Sequence, residues 1–502
     1  MSRILFFLFL SFVCLQTSSQ TDKEIQNKTD LFDKYIQSSL PLWKTTGLSV
    51  AVVKDGKVVF KKGYGVTNIN KPQPFTTSTI SFCASTTKAM TAACIGILVD
   101  EGKLKWDDKL KEILPGFRLY DPYVSDDITV RDLLRHNAGL GNGDKLWLFG
   151  YSSEEIVRRM RYMKPAYSMR SSFIYQNLMY VVAGEVIKKV SGMSWQEFIV
   201  KRIFQPLGMN HTYTKFTDAK AEPSIMTPHF YYGDTVIKTI EAINFGGYDP
   251  AGSVVSCIDD MVKWMEFLHD SAIVNVKRLI KAETFAEFFK PQSIVPPGQF
   301  YPTQEITHPH WTTYGLGWFQ QDYRGRMYQF HTGSLDGAVA IFGSMPEEKF
   351  SIYIFSNLDH TEIRHALMWK ATDLWCFNDN SHDWSTELFY HYKKIRDSAR
   401  INEKGKEAKR VLGTKPSLPL TGYSGKFTNE VYGDAEIVLN GNELAIKFPN
   451  KISLSLKHWN YDVFRGYYNY DWYGKTWITF SQNSDGRISQ FEYDGAVYRK
   501  KE

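Results

Sequence analysis

The chain has 502 residues, a mass of 57.9 kDa and a formal net charge of +6. That length exceeds what one hydrophobic core serves and points to two or three domains, while 43% hydrophobic and 23% charged residues are ordinary for a globular protein. The small charge excess, with no long basic run, gives a nucleic-acid-binding role no footing.

Arg3, the apolar run from Ile4 to Leu15 and the polar stretch from Gln16 to Gln20 have the anatomy of a secretory signal over residues 1–20. The apolar run is short for a bilayer span, which leaves an uncleaved anchor as the lesser alternative. No other segment is apolar enough to cross a membrane. Cleavage would leave Cys83, Cys94, Cys257 and Cys376, too few for a disulfide framework, with one or two bridges left open. Asn27-Lys28-Thr29 and Asn210-His211-Thr212 carry the N-glycosylation acceptor pattern.

Asp30 to Trp43 has apolar residues at helical spacing. Leu48 to Gly65 holds two β-branched runs around Asp55-Gly56, a hairpin signal. From Thr86 a helix of small apolar residues begins, ending at Glu101-Gly102. Thr129 to His136, Met179 to Val190, Ser194 to Ile203 and Asp259 to Leu268 also read as helices, so residues 86–290 are mainly helical. Strand patterns return at Tyr314–Phe319, Met327–Phe330, Gly337–Phe342 and Phe350–Asn357, followed by a helix over Thr361–Cys376. A hairpin near the start and strands near the end predict one sheet built from both ends of a domain, with the helical stretch inserted between. The charged segment around Lys404–Arg410 reads as a solvated helix or linker. From Tyr423 to Arg499, strands and turns alternate at roughly ten-residue spacing, as in a small antiparallel barrel. Its many tyrosines and tryptophans fill a core or face a ligand.

Ser85-Thr86-Thr87-Lys88 opens the first inserted helix. A serine there lies near the positive end of the helix dipole, and a lysine three residues on shares its face. A buried lysine can become neutral and take the serine proton; an N-capping serine with a solvated lysine is the bland alternative. Tyr175 and Asn177 follow in Tyr175-Gln176-Asn177, where a phenol near an ammonium could ionise at reduced pKa and act as a base. His331-Thr332-Gly333 ends one predicted strand, and its glycine would let a substrate backbone approach. There is no His-Glu-x-x-His, phosphate loop or Gly-x-Ser-x-Gly elbow. His308-Pro309-His310 is the one close histidine pair and lacks a third ligand nearby, so no metal is expected.

Ser85–Lys88, Tyr175–Asn177 and His331–Gly333, in that order, resemble the motifs of the serine β-lactamase-like family, which includes class C β-lactamases, D-alanyl-D-alanine carboxypeptidases, D-aminopeptidases and esterases. Glu101–Leu104, Leu133–Leu140, Pro206–Met209, Ala251–Ser253, Tyr314–Trp318 and Phe355–Asn357 resemble further landmarks, and the tail from Tyr423 looks like a barrel appended to some members. The resemblance implies an α+β fold, an antiparallel sheet flanked by helices with a large helical insertion, plus a small C-terminal all-β barrel. Together with the leader-like start and the charged segment, it divides the chain into a signal peptide (1–20), a catalytic domain (21–392), a charged linker (393–417) and the barrel (418–502). It implies that Ser85 forms an acyl-enzyme, that Lys88 and Tyr175 share the proton work, and that the backbone N–H groups of Ser85 and Ser334 form the oxyanion hole. Asn177 and His331 would position substrate, with Thr332 and Gly333 lining the same wall.

Most penicillin-reactive members have lysine where this chain has His331. A neutral imidazole holds a substrate carboxylate less firmly, which moves the expected substrate from a β-lactam toward a small ester, amide or peptide. The expectation is a secreted, extracellular serine hydrolase without a cofactor. The alternative is an extracellular, shell-type matrix or binding protein that keeps the fold without physiological turnover and has matrix components as partners.

Overall fold

Strands from both ends of the larger part of the chain share one antiparallel sheet. The computed structural model describes residues 2–502 apart from 234, 243–245 and 275–276, with side chains from residue 23 onward. Helix α1 (Ser2–Trp43) leads into β1 (Gly47–Lys54) and β2 (Lys57–Gly65). Of the segment expected as a signal, 1–20, residue 1 lies outside the described residues and residues 2–20 fall on the start of α1, where side chains lie outside them too. Asp55 and Gly56 both take positive φ (52° and 72°), the two-residue turn that matches strand twist and that Asp-Gly favours.

The inserted region carries α2 (Thr87–Asp100), α3 (Asn177–Ser191) and α4 (Ile258–His269) among shorter turns. The chain then returns with β3 (Ser293–Ile294), β4 (Thr312–Tyr314), β5 (Phe319–Tyr323), β6 (Arg326–Leu335), β7 (Ala338–Met345) and β8 (Phe350–Ser356). The eight strands run in the order β2-β1-β8-β7-β6-β5-β4-β3. Helices α5 (Ile363–Phe377) and α6 (Trp384–Ala408) follow. The charged stretch expected at 393–417 therefore begins inside α6.

Two expected elements differ. Tyr314–Phe319 is a strand-turn-strand: Tyr314 pairs with Phe319, and Gly315 to Trp318 form the turn, with Gly317 at φ 91°. Thr129–His136 contains one short 3₁₀ turn, Arg131–Leu133, instead of a helix. There the Asp132 carboxylate takes the Thr129 N–H and hydroxyl at 3.0 and 2.8 Å and pairs with Arg135 and Arg170, while His136 sits at φ 59°. These side-chain and long-range bonds outweigh the local helical pattern.

The sheet is apolar on both faces. On β1, Ala51 and Val53 join a core with the inserted helices, while Val50 and Val52 join another with α1, α5 and α6, the two-residue alternation of a strand covered on both sides. All four cysteines with described side chains are unpaired.

The C-terminal strands β9 (Gly425–Asn429), β10 (Gly433–Asn440), β11 (Glu443–Lys447), β12 (Ser453–Asn460), β13 (Val463–Tyr468), β14 (Lys475–Gln482), β15 (Ile488–Tyr493) and β16 (Ala496–Lys500) form a closed barrel, with β9 pairing β16. Tyr423, Phe427, Phe464, Phe480, Phe491 and Tyr498 fill its interior. Leu148 and Phe149 of the larger region are buried in that same core, and Asn450 Nδ2 donates to the Leu148 carbonyl at 3.0 Å. The barrel thus clamps the segment that follows Asp144.

Candidate active site

Ser85 lies in a 3₁₀ turn, Ala84–Thr86, that runs straight into α2. Ala84 is held at φ 49°, a left-handed conformation that costs a non-glycine residue energy and persists only where the surroundings enforce it. Here the surroundings are β6 and the Thr86 hydroxyl, which is bonded to Tyr353 at 2.6 Å and to the Cys83 carbonyl at 2.9 Å. Lys88, one turn on, is completely buried; its Nζ donates to Ser85 Oγ at 3.1 Å and to the Ala251 carbonyl at 2.7 Å. The rings of Tyr175 and Tyr180 lie 4.9 and 5.3 Å from that nitrogen. Burial lowers the Lys88 pKa to about 7, against the opposing pull of the Asp144 carboxylate. A substantial neutral fraction at physiological pH leaves a lone pair beside the Ser85 hydroxyl.

Tyr175 lies in the same cluster, but burial pushes its phenol well above the ordinary tyrosine range, with the neighbouring Ser85 hydroxyl drawing it the other way. The phenol therefore moves upward, where a lowering by the ammonium was expected. The Tyr175 hydroxyl is buried without a hydrogen bond of ordinary geometry. The His136 ring lies tilted against the Tyr175 ring, centroids 4.3 Å apart, and accepts the Gln176 N–H on Nδ1 at 3.0 Å; burial holds its pKa far down. Lys88 is therefore equipped as base, and Tyr175 as a neutral donor.

The third motif sits on β6 against the residues preceding Ser85. A Cβ at Gly333 would fall 2.2 Å from the Cys83 carbonyl oxygen, so only glycine allows this approach. The next residue, Ser334, lines the pocket with Ser85. The residues lining the pocket do not include His331, Thr332 or Gly333, which were expected beside the substrate. His331 is buried, its Nε2 paired with the Tyr314 hydroxyl at 3.0 Å and its Nδ1 with the Thr332 carbonyl at 2.6 Å. Burial lowers its pKa to about 3, so the imidazole stays neutral, 6.0 Å from the Tyr175 ring. Thr332 is bonded to the Tyr301 hydroxyl at 2.6 Å.

The pocket, about 270 Å³, has Phe82, Trp147, Phe216 and Tyr248 as aromatic walls, and Asn177 reaches it from the first turn of α3. Two groups with no motif in the sequence complete the surroundings. Asp144 accepts the Asn177 amide at 2.9 Å and the Asn142 amide at 3.0 Å, and burial raises its pKa. Behind β6, buried Arg364 donates to the Gly333 carbonyl at 2.5 Å, Ser334 Oγ at 2.9 Å and the Ala340 carbonyl at 3.2 Å, while its other nitrogens pair with Glu362 at 3.0 Å. Glu362 also takes His365 at 2.7 Å. Burial works against the Arg364 charge and the Glu362 carboxylate sustains it. Asp336, which lines the pocket, accepts the Trp472 indole at 3.2 Å and the Tyr473 hydroxyl, so a barrel loop is tied to a pocket residue.

Asn27 and Asn210, the glycosylation candidates, are exposed, Asn27 on α1. His310 pairs with Asp322 at 2.7 Å, and among the described residues no three metal-ligating side chains converge. Among them, too, no helix is long and apolar enough to cross a membrane.

The β-lactamase family model matches residues 36–374, and a domain of unknown function, DUF3471, matches residues 409–500. The chain is 25% identical over 456 residues to the unguisins hydrolase ungD of Aspergillus violaceofuscus, covering 82% of this chain and 76% of that one. It is 24% identical over 332 residues to protein flp of Staphylococcus aureus strain N315, covering 65% of this chain and 62% of that one. Among solved structures, the octameric penicillin-binding protein homologue of Pyrococcus abyssi superposes with a TM-score of 0.62 at 21% identity, covering 93% of this chain and 99% of the other. SurE superposes with a TM-score of 0.55 at 18% identity, covering 95% and 99%.

Proposed function

Because the chain belongs to the β-lactamase family, its model matching well over half of the residues, we propose that it is a secreted serine hydrolase that cleaves a small ester or amide bond through an acyl-enzyme on Ser85. One observation carries this reading: the buried Lys88 amine on Ser85 Oγ at 3.1 Å, with a pKa of about 7. Neutral Lys88 takes the hydroxyl proton as Ser85 Oγ attacks the carbonyl carbon. The oxyanion forms between the backbone N–H groups of Ser85 and Ser334. Arg364 supports that site by fixing the carbonyl of Gly333 and the side chain of Ser334. The Tyr175 hydroxyl, free of other partners, relays the proton to the leaving group. Water then attacks the acyl-enzyme, with the same groups exchanging roles.

Neutral, fully paired His331 supports an ester or amide over a β-lactam, since no ammonium stands there to bind the β-lactam carboxylate. Secretion rests on the leader-like residues 1–20 and is checked by the N-terminal sequence of protein recovered from the medium of expressing cells. The activity is checked with nitrocefin, p-nitrophenyl esters and amino-acid amides in parallel. Turnover of an ester or amide with little nitrocefin hydrolysis is expected; turnover of none of them would favour a catalytically idle scaffold.

A further inference from the structure

The pocket in front of Ser85 carries negative charge that acyl transfer does not use. Three carboxylates line it: Asp144, Asp249 and Asp336. Asp249 has the Lys215 ammonium at 3.7 Å and the Gln196 amide at 2.6 Å. Asp336 is capped by Trp472 and Tyr473, and the His360 side chain lines the pocket beside it. Asp144 has two amides only. Asn142 and Asn177 each give one N–H to one of its oxygens, at 3.0 and 2.9 Å, and no described cation stands within ion-pairing distance.

Lys88 is the cation whose field reaches Asp144, but its nitrogen is committed to Ser85 and Ala251 and must shed its charge to act as base. Two amide bonds leave acceptor positions free on each carboxylate oxygen. They also fix the carboxylate in direction, as does the hydrogen bond of the Asp144 N–H to Asn142 Oδ1 at 2.9 Å. Trp147 and Tyr248 share the pocket with it, and aromatic faces favour cations. A carboxylate held in place, desolvated and short of a counter-charge is a receptor for an incoming cation.

We infer that Asp144 anchors a protonated amine on the acyl half of the substrate, so that the site takes aminoacyl esters or amides with a free ammonium group. This rests on the proposed acyl transfer at Ser85 and narrows its substrate class. The ammonium lies against Asp144, the carbonyl faces Ser85, and the side chain of the aminoacyl group fills the aromatic wall.

The test compares phenylalanine p-nitrophenyl ester, in both enantiomers, with its 3-phenylpropionyl counterpart, which lacks only the amine. For the wild-type protein, kcat/KM should favour at least one ammonium ester over the deamino ester by about tenfold or more, the scale of a charge-assisted hydrogen bond. Asp144→Asn should collapse that ratio toward one; effects common to both substrates cancel in it. A wild-type ratio near or below one for both enantiomers overturns the inference without any variant. So does a ratio that survives in Asp144→Asn, and if the pH profile of both esters shifts alike there, Asp144 is simply the counter-charge of Lys88. Binding of phenethylamine and 3-phenylpropionamide by calorimetry separates this inference from the acyl-enzyme reading. If no ester turns over, tighter binding of the amine by wild type than by Asp144→Asn still supports the anchor, and equal binding overturns it.

Discussion

Gly333→Ala probes how closely β6 and the Ser85 segment must approach. An alanine Cβ at 333 would lie 2.2 Å from the Cys83 carbonyl oxygen and 2.9 Å from the Ala84 Cβ, where ordinary contact begins near 3.4 Å. Neither neighbour is a flexible side-chain end: one is backbone, and the other is attached to a residue already held at φ 49°. The strand and the turn must therefore part by roughly 1 Å, and a misplacement of that size costs about 100-fold in rate. Overpacking of this kind costs about 1–3 kcal/mol of stability, too little to unfold a protein of ordinary stability. The assay is p-nitrophenyl ester hydrolysis, with thermal unfolding in parallel. Gly116→Ala is the control, since a Cβ there meets nothing within 4 Å. We expect kcat/KM to fall about 100-fold in Gly333→Ala with a modest loss of melting temperature, and the control to match wild type. Hydrolysis by Gly333→Ala within threefold of wild type would refute the argument that this approach sets the oxyanion geometry.

The Lys88 pKa of about 7, lowered by burial, makes acylation rise with pH through about 7 and level off above it, because only the neutral amine accepts the serine proton; a pH-independent rate between 5 and 9 would contradict this. The same shift has a stability sign. Between pH 7 and the ordinary lysine pKa of 10.5, the unfolded chain holds a proton that the folded chain has released, so this group's contribution to stability rises with pH and is least favourable below 7. Lys88→Met should accordingly raise the melting temperature more at pH 6 than at pH 9 while abolishing acylation, and a lower melting temperature at both values would count against the desolvation argument. Tyr175→Phe removes a buried hydroxyl that makes no hydrogen bond of ordinary geometry. It should leave the melting temperature within about 1 °C and slow turnover about 100- to 10,000-fold; a large destabilisation would mean that the hydroxyl is structural.

Legibility in the sequence followed the range of the interactions. Asp55-Gly56 announces its hairpin because two residues determine that turn. Ser85 and Lys88 are placed by one helical turn, so their spacing carries their geometry. His331 and Gly333 are legible as a pair on one strand, but whether the imidazole faces a substrate depends on Tyr314, and that contact shows the ring to be engaged. Asp144 left no signal: its partner Asn177 is 33 residues away, and the turn that carries it is held by a barrel that begins hundreds of residues later. Arg364 was hidden for the same reason, since it contacts β6 and β7 from α5 across the sheet. Thr129–His136 misled because helical spacing there is set aside by Asp132, whose carboxylate ties together Thr129, Arg135 and Arg170.

The most direct test of a nucleophilic Ser85 is intact-mass analysis after a fluorophosphonate probe, with peptide mapping, on wild type and Ser85→Ala. Wild type should gain one adduct, mapped to Ser85 and suppressed by prior incubation with a turned-over ester, and Ser85→Ala should gain none. An adduct of equal yield on Ser85→Ala, or one mapped to another residue of the wild-type chain, would contradict the account.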